Sequence, residues 1–353
     1  MADKKIDLAY IQFRTANATI HQSNLAVGAN GAIQTIFGPS APLAGGGGGA
    51  PAPSGAYYSG TSFGYDVGGS TTNGEMIYAY PFSSDTDTIN VGQLGPGSPS
   101  GYKVFESTGT ASGSYGYVVG GQQGTASLTA SNNILRFPFA NPAGEAADVG
   151  QLTAATRLSC GGIADLANDR GYNVGGLGTN MSMMNRYPTV SPGNATNVAS
   201  LSTPRYWGAG SCSETAGYVI GGETPADTNA IEKFPFSSNS SSNQPATLVA
   251  VNRSQHGHQS ETHIYVSGGI TNADVLQKFT YAADTPSSDI AELSTGNSMH
   301  GGTSSNISGY MTHGYPTNNR IDKFPFASDQ TSTNIGNTGK SHLNYRTTGN
   351  IQY

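Results

Sequence analysis

One hexapeptide pattern recurs with a period and constrains this chain more than anything else in it. It reads "GYDVGG" from Gly64, "GYVVGG" from Gly116, "GYNVGG" from Gly171, "GYVIGG" from Gly217, "IYVSGG" from Ile264 and "GYMTHG" from Gly309. The first residue of each terminal pair falls at Gly68, Gly120, Gly175, Gly221, Gly268 and His313, so the unit is 45 to 55 residues long and occurs six times. Self-similarity at this period is the mark of arrays and propellers, in which each unit is one small sheet that buries its faces only against its neighbours. Within "GYVIGG", Tyr218 and Ile220 fall on one face of a strand and Val219 on the other, and the Gly-Gly pair ends the strand where the backbone turns or closely approaches another segment.

A second marker follows each first. It is "IYAYPFSS" from Ile77, "ILRFPFAN" from Ile134, "MNRYPTVS" from Met184, "IEKFPFSS" from Ile231, "LQKFTYAA" from Leu276 and "IDKFPFAS" from Ile321. Strand alternation places Glu232, Phe234 and Phe236 on one face, and Ile231, Lys233 and Pro235 on the other. Two aromatics per unit therefore enter one layer between sheets. A proline donates no ladder hydrogen bond, which predicts an edge strand toward the rim, or a bulge at Pro235, with the "GYVIGG" strand nearer the axis.

Third come "INVGQL", "ADVGQL", "TNVASL" and "DIAEL", followed by crossings that place Arg157, Arg205 and Arg253 at even steps of 48. Each unit then holds four short strands. Arg346, in "NYRTTGNIQY", fits the same arginine position. The C-terminus is thus expected to supply a strand that completes the first blade and closes the ring, removing the edges a linear stack would expose.

Composition agrees with an all-β chain of short strands and small-residue turns: 49 glycines and only 11% charged residues. The net charge of −6 argues against nucleic acid, which needs clustered Lys and Arg. Asp7, Gln12 and Arg14 interrupt any apolar core of an export signal, and no apolar run reaches spanning length, so the expectation is a chain made and kept in a cytoplasm without membrane insertion. Residues 1–40 lie outside the repeat and read as an N-terminal β arm, residues 41–56 as a Gly/Pro-rich linker, and residues 57–353 as the propeller. The arm admits two readings: a docking element for a larger assembly, or a segment packed on the ring.

An apolar strand ending in Gly-Gly with a downstream aromatic resembles the kelch-type propeller unit, although the usual downstream tryptophan is replaced by aromatic-Pro-aromatic and Trp207 is the single tryptophan. More narrowly, Gly-Tyr-x-x-Gly-Gly, Ile-x-Lys-Phe-Pro-Phe and Asp-Val-Gly-x-Leu together resemble the kelch-like structural proteins of marine bacteriophages, cyanophages especially, over residues 57 to about 350. The resemblance implies a six-bladed kelch-like β-propeller acting as a virion component in tail, fibre or surface appendage. Its partners would be other virion proteins in a multicopy assembly and a host-surface glycan or receptor, with no catalytic residues and no cofactor.

Fold decides nothing about chemistry on its own, so each candidate residue stands on its own chemistry. A copper-radical oxidase resembling galactose oxidase would need a tyrosine joined to Cys160 or Cys212, plus two histidines. His256 and His258 share a strand face as a weak metal clamp would, against a plain reading as surface polar residues. Asp85 and Asp87 have the spacing of a calcium loop without its Gly and Glu, against a solvated turn. Arg136, Arg186, Lys233, Lys278 and Lys323 recur before the aromatics. They form either a basic ring for an acidic partner or stems that cover apolar surface with their heads in water. The aromatic patches Tyr57 with Tyr58, and Tyr206 with Trp207, are the candidate surface-binding residues, against ordinary blade packing. The functional alternatives to a virion role are a soluble carbohydrate-binding or oxidase propeller and an intracellular adaptor.

Overall fold

A computed structural model describes residues 60–69, 74–95, 103–124, 129–140, 145–178, 181–312, 314–315, 319–339 and 351, together with the backbone of residues 14–15, 18–19, 25–27 and 33–35. The chain divides into two compact units, Met1–Ala52 and Pro53–Tyr353. In the first, Arg14–Thr15 pairs with Ala18–Thr19, and Leu25–Val27 with Ile33–Thr35, as two antiparallel ribbons.

Among its described residues the second unit is all-β apart from one 3-10 turn, Leu166–Asn168, in a propeller arrangement of five blades built on four-strand meanders, the first of them extended to a seven-stranded sheet by Lys103–Phe105, Gln122–Gly124 and Leu177–Gly178. The first blade is Thr108–Ala111, Tyr115–Val119, Thr129–Pro138 and Ala147–Arg157, inner to outer. The second is Cys160–Asp165, Arg170–Val174, Met183–Pro188 and Thr196–Ser200, and the third Ala209–Cys212, Ala216–Ile220, Thr228–Pro235 and Ser242–Asn252. The fourth is His256–Gln259, His263–Ser267, Val275–Thr280 and Ser288–Glu292, and the fifth Gly301–Ser304, Ser308–Thr312, Arg320–Pro325 and Thr333–Asn337. A further sheet of three strands, Phe63–Val67, Met76–Pro81 and Ile89–Gln93, comes from the first repeat. Five complete blades thus stand where six were expected among the described residues. The phase of the repeat accounts for this: the described residues of the first unit begin their sheet on the "GYDVGG" strand, and no strand of that unit is described inside it.

The repeated tyrosine is a staple to the next sheet. Tyr65 packs on Phe137 and Phe139 at 5.5 and 5.0 Å, Tyr172 on Phe234 and Phe236 at 5.4 Å each, and Tyr265 on Phe324 and Phe326 at 5.7 and 4.7 Å. Tyr117 meets Tyr187, and Tyr218 meets Phe279 and Tyr281. Tyr310 of the fifth blade meets Tyr80 and Phe82 of the three-stranded sheet at 5.7 and 4.7 Å. The expectation that two aromatics per unit share an inter-sheet layer holds, because the side chains alternate.

Other positions of the motif follow from the same register. The leading residue lies opposite the first aromatic of its own sheet: a Cβ on Gly217 would stand 2.3 Å from the Phe234 ring, so the third blade takes glycine there, whereas the fourth places Ile264 opposite Phe279. Opposite each staple tyrosine sits the residue that is usually basic, as in Tyr117 with Arg136, Tyr172 with Arg186, Tyr218 with Lys233, Tyr265 with Lys278 and Tyr310 with Lys323, while Tyr65 faces Ala79.

Pro235 corrects the edge-strand expectation. Its strand is third of four, covered by an outer strand, but the last outer pair is Lys233 with Ser242. Phe236 donates inward to Thr215 O at 2.9 Å, so alternation points the Pro235 nitrogen outward, past the point where the outer strand pairs. The missing N–H is missed by nothing. The expected inward position of the "GYVIGG" strand is observed.

Gly-Gly ties its strand to the segment that leads out of the blade. Gly221 and Gly222 have φ of 57° and 104°, which bulkier residues adopt only under strain, and Gly222 N donates to Asn252 O, in the segment entering the next blade, at 2.9 Å. The same link joins Gly69 to Val104, Gly121 to Thr156, Gly176 to Arg205 and Gly269 to Asn297. Two residues further on, each entry turn passes through a left-handed residue that is not glycine: Glu106, Leu158, Trp207, Ser254 and Met299, with φ of 56–59°. These five form a backbone relay at 2.8–2.9 Å, with Leu158 N donating to Glu106 O, Trp207 N to Leu158 O, Ser254 N to Trp207 O and Met299 N to Ser254 O.

Candidate functional site

The five entry turns lie on one face of the propeller, and they differ in what they expose. Glu106, Leu158 and Ser254 are buried, whereas Trp207 and Met299 stand half-buried. Trp207 and its neighbour Tyr206 are thus the sequence candidates that the structure brings together, rings 5.5 Å apart and tilted 43°. Tyr57 and Tyr58 lie outside the described residues.

Three side chains that sequence reading did not assign to this patch complete it. Arg253, from the next entry turn, lays its guanidinium over the indole at 4.9 Å. Its Nη1 also meets Glu223 Oε2 at 2.8 Å and Asp227 Oδ1 at 2.7 Å. Glu223 is positioned by the backbone: its N donates to Tyr206 O at 2.8 Å, and Tyr206 N donates back to Glu223 O at 3.3 Å. The loop then closes with Thr224 N donating to Ala226 O and Thr228 N to Gly222 O, both at 2.9 Å. Burial and the Glu223 carboxylate raise the Tyr206 phenol above its ordinary pKa. The only sequence signal for the acids was their place directly after Gly-Gly, in "GGETPAD".

The evenly spaced arginines are not equivalent. Arg157 and Arg253 immediately precede their left-handed residues and are partly exposed, with Arg157 on Glu106 at 3.0 Å. Arg205 stands one place earlier and is buried, its Nη2 3.0 Å from Glu232 Oε2 and its Nη1 donating to Gly221 O and Ala230 O. Glu232 also accepts from Ser202 N and Ser241 Oγ, so this carboxylate is structural.

On the opposite face, the recurring cations and the paired aspartates turn out to be joints between sheets. Lys278 reaches Asp329 of the next blade at 2.6 Å, and Lys323 reaches Asp85 of the three-stranded sheet at 2.9 Å. Asp87 accepts from Asn337 N at 2.7 Å. Lys233 donates to Tyr281 O at 2.9 Å while lying 5.4 Å from the Tyr218 ring. The stems cover the staple tyrosines, and several heads are tied to the adjacent sheet, which neither sequence reading included.

The surface reading of the histidines is overturned: His256 and His258 are buried at 4% and 0% exposure, and His300 at 1%. Inner strands pack on their neighbours in a ring, so both faces are covered. His258 Nδ1 donates to Thr303 O at 3.1 Å, which leaves Nε2 to accept from Ser267 Oγ at 2.8 Å, and His300 Nε2 donates to Ser267 Oγ at 2.9 Å. Burial pushes His258 down to about 4. Among the described residues no three His, Cys, Asp or Glu side chains converge as a metal site. Cys160 and Cys212 are buried, and burial pushes the Cys212 thiol up to about 12, far from the thiolate that attacks or binds metal.

No protein-family model matches the chain, and no curated protein matches it.

Proposed function

We propose that this chain is a non-enzymatic structural component of a bacteriophage virion, in tail, fibre or surface appendage. In this reading the three-stranded sheet is the sixth blade of a kelch-like propeller, completed on its inner side by the C-terminal residues around Ile351. Two contacts support that closure: Tyr65 N donates to Ile351 O at 3.0 Å, and the buried Ile351 side chain lies against Gly116 of the first blade.

The observation that carries the structural role is where the repeated residues go. Tyrosine, the aromatic pair and the recurring lysines reach into the adjacent sheet, including from the fifth blade back to the first repeat, and Gly-Gly holds the segment that leads there. A repeat whose signature consists of joints makes a rigid carrier, with function left to the loops and the arm. The arm, residues 1–40, and the linker, residues 41–56, dock the ring on a neighbouring virion protein, while the ring faces another subunit or a host-surface receptor. Many copies on one particle supply avidity. The protein is made in the host cytoplasm and resides in the virion, without a cofactor, nucleic acid or membrane insertion.

Peptide mass spectrometry and cryo-EM of gradient-purified particles test the proposal. Fixed stoichiometry on the particle is the expected result. Absence of the chain from infectious particles would sink the structural role and favour a free propeller.

A further inference from the structure

We propose that the patch around Trp207 is a carbohydrate-binding site for neutral or amino sugars, with Trp207 and Tyr206 as the platform for a sugar ring and Glu223 and Asp227 as acceptors for its hydroxyl groups. At the entry-turn position Glu106, Leu158 and Ser254 are buried, Met299 is half-buried, and the third blade alone of the five described turns places an aromatic ring there, part-exposed. Arg205, which two other turns would place next to the left-handed residue, is withdrawn one position into the core. Tyr206 takes the vacated place and doubles the aromatic surface.

The polar half is built with equal definition. Glu223 and Asp227 share a single guanidinium nitrogen of Arg253 through one oxygen each, and the Glu223 carboxylate also faces the Tyr206 hydroxyl, while each carboxylate keeps lone pairs beyond these contacts. Vicinal hydroxyls of a sugar are donors that suit such oxygens, while the ring's C–H face suits indole and phenol. Arg253 also stiffens the patch, since it touches Trp207 and both acids at once, and the Tyr206–Glu223 backbone bridge fixes the loop. A platform held in this way is ordered before it binds. Two carboxylates against one guanidinium leave the patch with a net negative charge, which disfavours uronic and sialic acids and sets the ligand class.

This inference deepens the host-attachment part of the proposed function, and its test separates the two. Trp207 is the single tryptophan of the chain, so its emission reports this patch alone. The full chain is titrated with cellobiose, lactose, chitobiose and digalacturonate at concentrations on the order of 10 mM, enough to reveal millimolar affinity. The expected result is a saturable emission change with at least one of the first three and a much weaker one with digalacturonate. By calorimetry, Glu223→Gln and Asp227→Asn should each weaken binding about tenfold or more, as loss of a charged acceptor does, with unchanged melting. No response to any of the four sugars would overturn the site while leaving a particle-bound structural role intact. Binding that survives Tyr206→Ala and both acid substitutions would also overturn it, since the sugar would then sit elsewhere. Absence of the chain from particles, with sugar binding retained, would overturn the virion role and leave the site.

Discussion

Tyr310 of the fifth blade stacks on Phe82 of the three-stranded sheet, centroids 4.7 Å apart and planes 30° from parallel. The last repeat thereby grips the first through the same staple that joins consecutive repeats. Tyr310 is 1% exposed, so Tyr310→Ala should cost about 3–5 kcal/mol, as truncating a buried aromatic does. Urea denaturation should show a comparable loss for Tyr218→Ala at an interior junction. A negligible effect at Tyr310 alone would mean that the ring does not depend on its closing joint.

Closure makes a second prediction at Ile351, which is fully buried beside Gly116 and accepts from Tyr65 N. Ile351→Asp places an unpaired carboxylate there, and deletion of residues 344–353 removes the contact altogether. Either change should lower the melting temperature strongly. An unaltered melting transition after the deletion would rule out a C-terminal fourth strand for the first repeat.

The Arg205–Glu232 pair, with both side chains at 1% exposure or less, should behave as a buried ion pair. Glu232→Gln leaves a guanidinium uncompensated and should cost about 3–5 kcal/mol, whereas Arg205→Met with Glu232→Leu should cost less than either single change. Part of that double-variant cost remains, because Ser202 N loses its acceptor. A double-mutant cycle by denaturant titration measures both.

Acid should loosen the junction of the fourth and fifth blades. His258 ionises near 6.5 when unfolded but is pushed down to about 4 by burial, against which its bond to Thr303 O acts only in part. The folded state therefore binds fewer protons across that interval. Its contribution to stability is complete above pH 6.5, declines as pH falls, and by pH 4 has dropped by about 3 kcal/mol. His258→Gln should flatten the pH dependence of the urea midpoint between those values. An equal slope in wild type and variant would assign the acid sensitivity to other groups.

Much of this fold is legible in the sequence, for a definite reason. Side-chain alternation is a local property, so the shared face of Phe234 and Phe236 and the inward place of the "GYVIGG" strand follow from a few residues. What escaped depends on partners in another strand or another repeat. Pro235 looks like an edge residue until the outer strand is seen to stop pairing at Lys233. His256 and His258 read as surface residues because polar side chains on a short Gly-rich strand give no sign that two neighbouring strands enclose them.

The entry turns were illegible for another reason. Left-handed backbone is expected at Gly or Asn, yet here it falls on Glu, Leu, Trp, Ser and Met, held by the relay instead of by residue type. An even spacing of 48 also misled, since Arg205 and Arg253 hold different places relative to that turn. The candidate site was half visible for this reason: its aromatics stand out in the sequence, but the acids join it through the Tyr206–Glu223 bridge and the Arg253 ion pairs, neither of which is local in sequence.

The relay of entry turns bears on how such a chain could change over generations. Among the described turns, each carbonyl from Glu106 to Ser254 is lent to the turn after it, so a repeat cut from the middle of the run would leave behind both the bond it donates and the bond it accepts. Gain or loss of a single repeat there would require the relay to re-form across the new seam. The side chains of loop residues such as Glu223 and Asp227 take no part in these bonds, and sequence change can accumulate there while the turns keep their links.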